Sequence, residues 1–388
     1  MQDTADISST IRTYRRDLHA IPELALAEYE THDYLLKQLK TWQNDTMTIR
    51  TVAALPTAIL VRIQGTDPQR TIGYRTDIDG LPVTEATGLP FASTHPGKMH
   101  ACGHDVHMSI ALALVQYFSQ HQPKDNLIVF FQPAEEAMSG GKLAYDLGLF
   151  EGDWRPDEFY GIHDQPDLPA GVLSTRSGTL FAGTAELKVT IHGQGGHAAY
   201  PHLVKDPIVA AAELILQLQT VVSRSVDPMQ GGVVSVGVIT GGIANNVIPD
   251  TVHLEGTVRS MTQAGLETMI RRIRQIIDGV ALANDLDMTV ELESGSYLPV
   301  ENDPVLAQQL MTFMQQADNI NFQVAQPAMT GEDFGYLLQH IPGVMLWLGV
   351  NDTHPLHSPE LSIDEAALVP GFEALKDFLV WRMTASAA

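Results

Sequence analysis

Between Met99 and His107 the chain gathers its only cysteine, Cys102, with His100, His104, His107 and Asp105. About one crossover unit later, Gln132-Pro133-Ala134-Glu135-Glu136 sets two carboxylates side by side where an apolar run ends. Thiolate, imidazole and carboxylate are the side chains that bind zinc-like or manganese-like ions, and a hydrolytic centre also needs a base that is not itself a ligand. Adjacent side chains in an extended turn diverge, so the tandem supplies both: one glutamate can ligate while the other faces the attacking water and takes its proton. Cys102 and His104, at i and i+2, can bind one ion from a loop, and His107 falls about a turn later, at the start of the next helix. A lone cysteine in apolar company is usually a small buried hydrophobe, and paired glutamates are usually solvated. One cysteine among three histidines and an aspartate within nine residues weighs against that for Cys102 and His104 first, and for His100 and His107 after them. Asp105 is expected to cap the helix beginning near His107, or to support a ligand from behind.

Other residues carry chemistry with less local company. Asp77 and Asp79 stand at i and i+2 just past the β-rich run 71–75, on one side of an extended chain and at the carboxyl edge where open α/β sheets build their sites. His163 ends the short strand 159–163, and His357 sits in His354-Pro355-Leu356-His357-Ser358-Pro359. Spacing cannot link the two, and by residue type alone each reads as a surface histidine. The run Gly193 to Pro201, with His197 inside it, lacks the Lys-Ser/Thr and the strand-helix context of a phosphate loop and reads as a turn. Asn246 lies in a second Gly-rich turn, and Arg259, near a strand end, is a candidate carboxylate fork.

The elements that must position these residues alternate. Helices are expected up to Pro22 and over 28–42, strands over 49–54, 58–64 and 71–75, a helix over 106–120, and a buried strand over 126–132. Alternation of this kind predicts a large α/β domain with a mostly parallel mixed sheet flanked by helices. From about Ala185 the order becomes β-α-β-β-α-β, a ferredoxin-like α+β unit that interrupts the large domain as a lid. The expected boundaries are 1–183 and 296–388 for the catalytic metal-binding domain and 184–295 for the lid.

Lys plus Arg number 23 against 46 Asp plus Glu, a net charge of -23. That excess repels phosphate backbones and anionic lipid, so neither nucleic acid nor membrane is expected as a partner. Any carboxylate in a small-molecule substrate must instead be held by a few local donors. No apolar run approaches the ~20 residues that span a bilayer, and residues 1–16 lack a basic-then-apolar leader, so a cytoplasmic location is expected. A single cysteine forms no intrachain disulfide, which leaves its sulfur free for metal.

Taken together, Tyr74 to Pro82, Met99 to His107, Gln132 to Glu136, Gly193 to Pro201, Asn246-Val247-Ile248-Pro249 and Gly331-Glu332-Asp333-Phe334 resemble the di-metal aminoacylase and carboxypeptidase family, in its hippurate and auxin-conjugate hydrolase branch. The resemblance runs over essentially the whole chain in order. It implies a metal-dependent amidohydrolase with two divalent ions, manganese or zinc-like with cobalt as a further option, held by Cys102, His104, Glu136, His163 and His357. It implies Glu135 as general base and an active-site aspartate at the strand end, for which Asp77 and Asp79 both stand. It further implies His197 reaching a neighbouring subunit's site to stabilise the oxyanion, hence a homodimer or dimer of dimers through the lid. Asn246 and Arg259 would grip the substrate carboxylate. The substrate would be an N-acetylated diamino acid, with hippurate, another N-acyl amino acid or a dipeptide as alternatives. Asp164 departs from the family, where an apolar residue more often follows the histidine.

Overall fold

The structure is a computed structural model and describes residues 2–293 and 296–384. It divides into two compact units, Met1–Leu180 with Glu301–Gln326 and Tyr336–Ala388, and Phe181–Val300 with Pro327–Gly335. The segment Pro327–Gly335, which the sequence places after the interruption, thus packs with the smaller unit.

The larger unit is built on eight strands. Their order is Met47–Val52, Leu55–Ile63, Asn126–Gln132, Thr71–Asp77, Glu158–Gln165, Gly343–Gly349, Leu173–Thr175 and Phe322–Val324. The four from Asn126–Gln132 to Gly343–Gly349 pair in parallel, and antiparallel strands flank them. Parallel strands covered on both faces read as unbroken apolar runs, which is why Leu127 to Phe131 and Val344 to Leu348 show no alternation and are all buried. The helix His104–Gln120 is buried almost all round, and Gln2–His19, Tyr29–Trp42 and Leu368–Thr384 pack on it.

This sheet delivers the chemistry to one edge. Thr71–Asp77 ends on Asp77, Asn126–Gln132 runs out into Pro133 to Glu136, and Glu158–Gln165 carries His163 near its end. Asp77 pairs in register with Gln132, and His163 with Trp347 on the next parallel strand.

The smaller unit has a four-stranded antiparallel sheet in the order Gly232–Gly241, Thr251–Ser260, Gly183–His192, Asp287–Glu293. Helices Pro207–Ser225 and Gln263–Ala283 complete a ferredoxin-like unit. Burial alternates along Gly183–His192: Leu187, Val189 and Ile191 pack on Leu214, Leu218, Ile273 and Ile277 while Glu186 and Lys188 are exposed. One sheet face is therefore helix-covered and the other open. Asp206 and Thr262 cap the two helices by accepting first-turn N–H groups. The helix Gly140–Asp146 and the strands Leu173–Thr175, Gly178–Phe181 and Phe322–Val324 are too short to display a period and were not expected.

Candidate metal and catalytic site

Cys102 and His104 flank Gly103, whose φ of +79° lies in the left-handed region. A Cβ there would also collide with the carboxylate of Asp164, so the loop demands glycine on two counts. The helix starts at His104, not near His107. Its Nδ1 donates to the backbone carbonyl of Asp79 at 2.9 Å, and His100 Nδ1 reaches the same carbonyl at 3.1 Å. The His104 tautomer is thereby fixed, with Nε2 buried and lacking a hydrogen-bond partner among the described residues. The Glu136 N–H donates to Asp79 Oδ2 at 2.9 Å, so Asp79 orients both a histidine and a glutamate. Ala134, which opens the turn into the tandem, and His357 both hold left-handed φ values, 57° and 68°. Non-glycine residues in that region mark strain held in place by surrounding structure. Here the ties are the Ala134 N–H to Glu28 Oε1 at 2.8 Å and the His357 N–H to Ala101 O at 2.7 Å.

The five expected ligands converge. Cys102 Sγ lies 3.4 Å from His163 Nε2, His104 Nε2 lies 3.8 Å from Glu136 Oε1, and His357 Nε2 lies 3.6 Å from Glu136 Oε2. Ligands about 2.0–2.3 Å from one tetrahedral ion stand roughly 3.3–3.8 Å from each other, and these separations match that spacing. Donor atoms of Cys102, His104 and His163, of Cys102, Glu136 and His357, and of His104, Glu135 and Glu136 all fall within 4.8 Å of one another. Glu136 Oε1, like His104 Nε2, is buried with no hydrogen-bond partner among the described residues. The local field is strongly negative. Burial pulls the His104 pKa down, but Asp77, Asp79 and Glu136 outweigh it and raise it to about 10. Burial, Glu136, Glu135 and Asp77 push the Cys102 thiol well up, and burial with Asp79 and Asp77 lifts Glu136 to about 7 against the pull of His104. Mixed sulfur, nitrogen and oxygen donors with open lone pairs in such a field fit divalent cations.

A fourth grouping, Asp77 with His104 and His107, also lies within 4.8 Å. The atoms of Asp77 and His107 in it are already committed. Asp77 Oδ2 accepts from Arg75 Nη1 at 2.7 Å and Oδ1 accepts from His107 Nδ1 at 2.6 Å. The Asp164 N–H donates to His107 Nε2 at 3.0 Å, a bond that a proton on Nε2 would displace. Although Asp77 and Asp164 outweigh burial and raise the His107 pKa to about 9, this bond favours the neutral ring. Burial opposes charge on Asp77, yet His104, His107 and Arg75 hold it well below the usual carboxylate range. Asp77 is thus the counter-ion of Arg75, with its Oδ2 also 3.7 Å from His104 Nε2, and Asp79 is the aspartate that hydrogen-bonds two of the expected ligands, His104 and Glu136. Arg75 has no role in the sequence reading; a lone arginine in an apolar strand, two residues from an acid on the same face, was the available signal.

Asp105 is not a helix cap. It lies in the first turn, fully buried, and accepts from Arg15 Nε and His19 Nδ1, each at 2.9 Å. The helix begins three residues earlier than expected, which carries Asp105 past the capping position. Asp164 is fully buried beside His107 Nε2 at 3.4 Å, and burial raises its pKa to about 6. Glu135 is 4% exposed.

In the smaller unit, Gly196–His197 pairs with Val247–Ile248, and the Ala198 N–H donates to Asn246 O at 3.0 Å, so His197 and Asn246 share one exposed ribbon. The Ala199 N–H donates to His197 Nδ1 at 3.1 Å. Arg259 is half-buried and donates to Thr184 Oγ1, and Gly331 sits so close that a Cβ would press on the guanidinium.

Residues 73–380 match Peptidase family M20/M25/M40. The chain is 76% identical to N-acetyldiaminopimelate deacetylase of Leuconostoc citreum, covering 97% of each chain. It is 54% identical to the protein of that name in Limosilactobacillus reuteri, covering 95% of this chain and 97% of that one. Among solved structures, the Bacillus subtilis YXEP protein, a dinuclear metal-binding peptidase from the M20 family, superposes with a TM-score of 0.83 at 30% identity over 98% of this chain and 99% of that one. A match over most of the chain, with relatives this similar end to end, makes the protein a member of Peptidase family M20/M25/M40.

Proposed function

We propose that the protein is a metal-dependent N-acetyldiaminopimelate deacetylase, releasing acetate and diaminopimelate in the acetylated branch of bacterial lysine synthesis, in the cytoplasm. The observation that carries this reading is the convergence of Cys102, His104, Glu136, His163 and His357 beside a second buried glutamate, Glu135. The name carried by full-length relatives supports the choice of amide.

Cys102, His104, Glu136, His163 and His357 would hold two divalent ions, manganese or zinc-like. Such a pair, when bound, supplies Lewis acidity and lowers the pKa of water from about 16 towards 7. Glu135 takes the proton from water as its oxygen attacks the acetyl carbonyl, then delivers it to the departing nitrogen as the C–N bond breaks. Atoms balance: the water oxygen ends in acetate, and both its protons end on the released nitrogen, which leaves as an ammonium. Asp79 keeps His104 and Glu136 aligned through its carbonyl and carboxylate. His197, from a second copy, donates to the developing oxyanion, an interaction worth about 3 kcal/mol. Asn246 and Arg259 hold the substrate carboxylate.

Dimerisation through the smaller unit is supported by its uncovered edge strand Gly232–Gly241, where Val238 and Ile239 are exposed, and by Val209 and Leu216 on the neighbouring helix. The deciding experiment measures acetate release from N-acetyl-diaminopimelate beside N-acetylornithine, and benzoate release from hippurate, with metal-free and manganese-replenished protein. Preference for the diaminopimelate derivative, restored by manganese, is expected; preference for hippurate would overturn the substrate reading.

A further inference from the structure

The smaller unit carries a groove of about 440 Å³ on the sheet face its helices leave open. Thr184, Glu186, Lys188, Glu255, Thr257 and Arg259 line it. Cross-strand register sets Arg259 opposite Thr184, Thr257 opposite Glu186 and Glu255 opposite Lys188. Arg259 is withdrawn from solvent without a full counter-ion: its side chain donates to Thr184 Oγ1, and among the described residues it makes no ion pair. Burial lowers its pKa, and the one charge acting against that is Glu186. A desolvated guanidinium fork in this setting takes a carboxylate from outside. Diagonally across on the neighbouring strand, about 7–8 Å away, Glu186 is exposed with Lys188 Nζ at 3.7 Å from its Oε2. An exposed pair of that length holds weakly and is readily exchanged for ligand.

On the deacetylase reading, we infer that Glu186 is a specificity residue that binds the free ammonium at the unacetylated end of the substrate. The two α-carbons of a 2,6-diamino diacid stand about 5 Å apart when extended, and the charged groups they carry reach outward from there. A guanidinium and a carboxylate at diagonal positions of two paired strands, about 7–8 Å apart, suit a carboxylate at one end and an ammonium at the other. Lys188, beside Glu186, meets the distal carboxylate. A substrate with only an acyl group and one carboxylate uses Arg259 and leaves Glu186 idle.

The test compares wild type, Glu186→Gln and Glu186→Lys in the manganese-loaded enzyme. The substrates are N-acetyl-diaminopimelate and N-acetyl-2-aminopimelate, which has the same carbon chain and both carboxylates but no distal amine. On the first, Glu186→Gln raises KM about tenfold with kcat within twofold, the loss of one charge-assisted contact, and Glu186→Lys raises it further. On the second, Glu186→Gln changes KM less than twofold. Equal losses on both substrates, or no loss on the first, overturn the inference while the deacetylase reading stands. Failure of wild type to release acetate from N-acetyl-diaminopimelate overturns both.

Discussion

Replacing Asp77 and Asp79 one at a time by asparagine separates a structural carboxylate from one that aligns ligands. Asp77→Asn removes a charge held between Arg75 Nη1 at 2.7 Å and His107 Nδ1 at 2.6 Å. The Arg75 guanidinium, itself fully buried, then faces a neutral amide. Breaking a buried ion pair from one side costs about 3–5 kcal/mol. Asp79→Asn keeps an oxygen for the Glu136 N–H and leaves untouched the backbone carbonyl that holds His104. It forfeits the charged part of that hydrogen bond and of the 3.4 Å approach of Oδ1 to His104 Nδ1, about 1 kcal/mol. The assay can be confined to one unit, because Trp42, Trp154, Trp347 and Trp381, the protein's four tryptophans, all lie in the larger one. Urea unfolding of metal-free protein followed by tryptophan fluorescence therefore reads that unit's transition alone. With a slope of about 3 kcal/mol per M, Asp77→Asn lowers the midpoint by roughly 1.3 M and Asp79→Asn by roughly 0.3 M. Manganese titration should show the converse sensitivity, with Asp79→Asn losing about tenfold or more in affinity, as partners of metal-bound groups do. Equal midpoint shifts for the two variants, or unchanged manganese affinity in Asp79→Asn, would refute this division of roles.

Other outcomes follow from the same geometry. Glu135→Gln should lower kcat by about 10²–10⁴ while manganese affinity stays within threefold; near-normal kcat rejects Glu135 as the base. Mixing His197→Ala with Glu135→Ala protein should restore activity through hybrid dimers that hold one intact site, and an absence of rescue argues for a site complete within one subunit. Gly103→Ala forces a side chain into the left-handed region and against Asp164, so it should destabilise by about 2 kcal/mol or more, read as a lower tryptophan-monitored midpoint; an unchanged midpoint would mean the loop yields. Burial pulls the His19 pKa down, but Asp105 and Glu85 outweigh it and lift it to about 9. A pKa raised on folding contributes stability that is complete below the ordinary value of 6.5 and is lost as pH rises through about 9. The midpoint gap between wild type and His19→Asn should thus be wide at pH 6 and narrow at pH 10, and a constant gap counts against the pairing.

How far each feature could be read in advance depends on whether its cause is local. Asn126–Gln132 was legible because a strand buried on both faces is an unbroken apolar run, and the tandem Glu135-Glu136 because the turn that aims it follows immediately. His163 and His357 have no such signal. One meets Cys102 through the stacking order of parallel strands, the other through a single contact between the His357 N–H and Ala101 O. The rule that i and i+2 share a side failed to choose between Asp77 and Asp79 because the strand stops at Asp77. Beyond it the Asp79 backbone carbonyl, which has no residue identity to read, becomes the acceptor for two histidines. Asp105 was misplaced because Gly103 turns left-handed and starts the helix early, at a position where Asp164, from a distant strand, leaves no room for a Cβ. Arg75 is the instructive middle case. Its partner is nonlocal in chemistry but local in sequence, since a guanidinium inside an apolar strand must find an acid and the residue two places on, on the same face, is Asp77. Treating every buried charge as a demand for a named partner would have assigned Asp77 to Arg75 from the sequence, leaving Asp79 for the site.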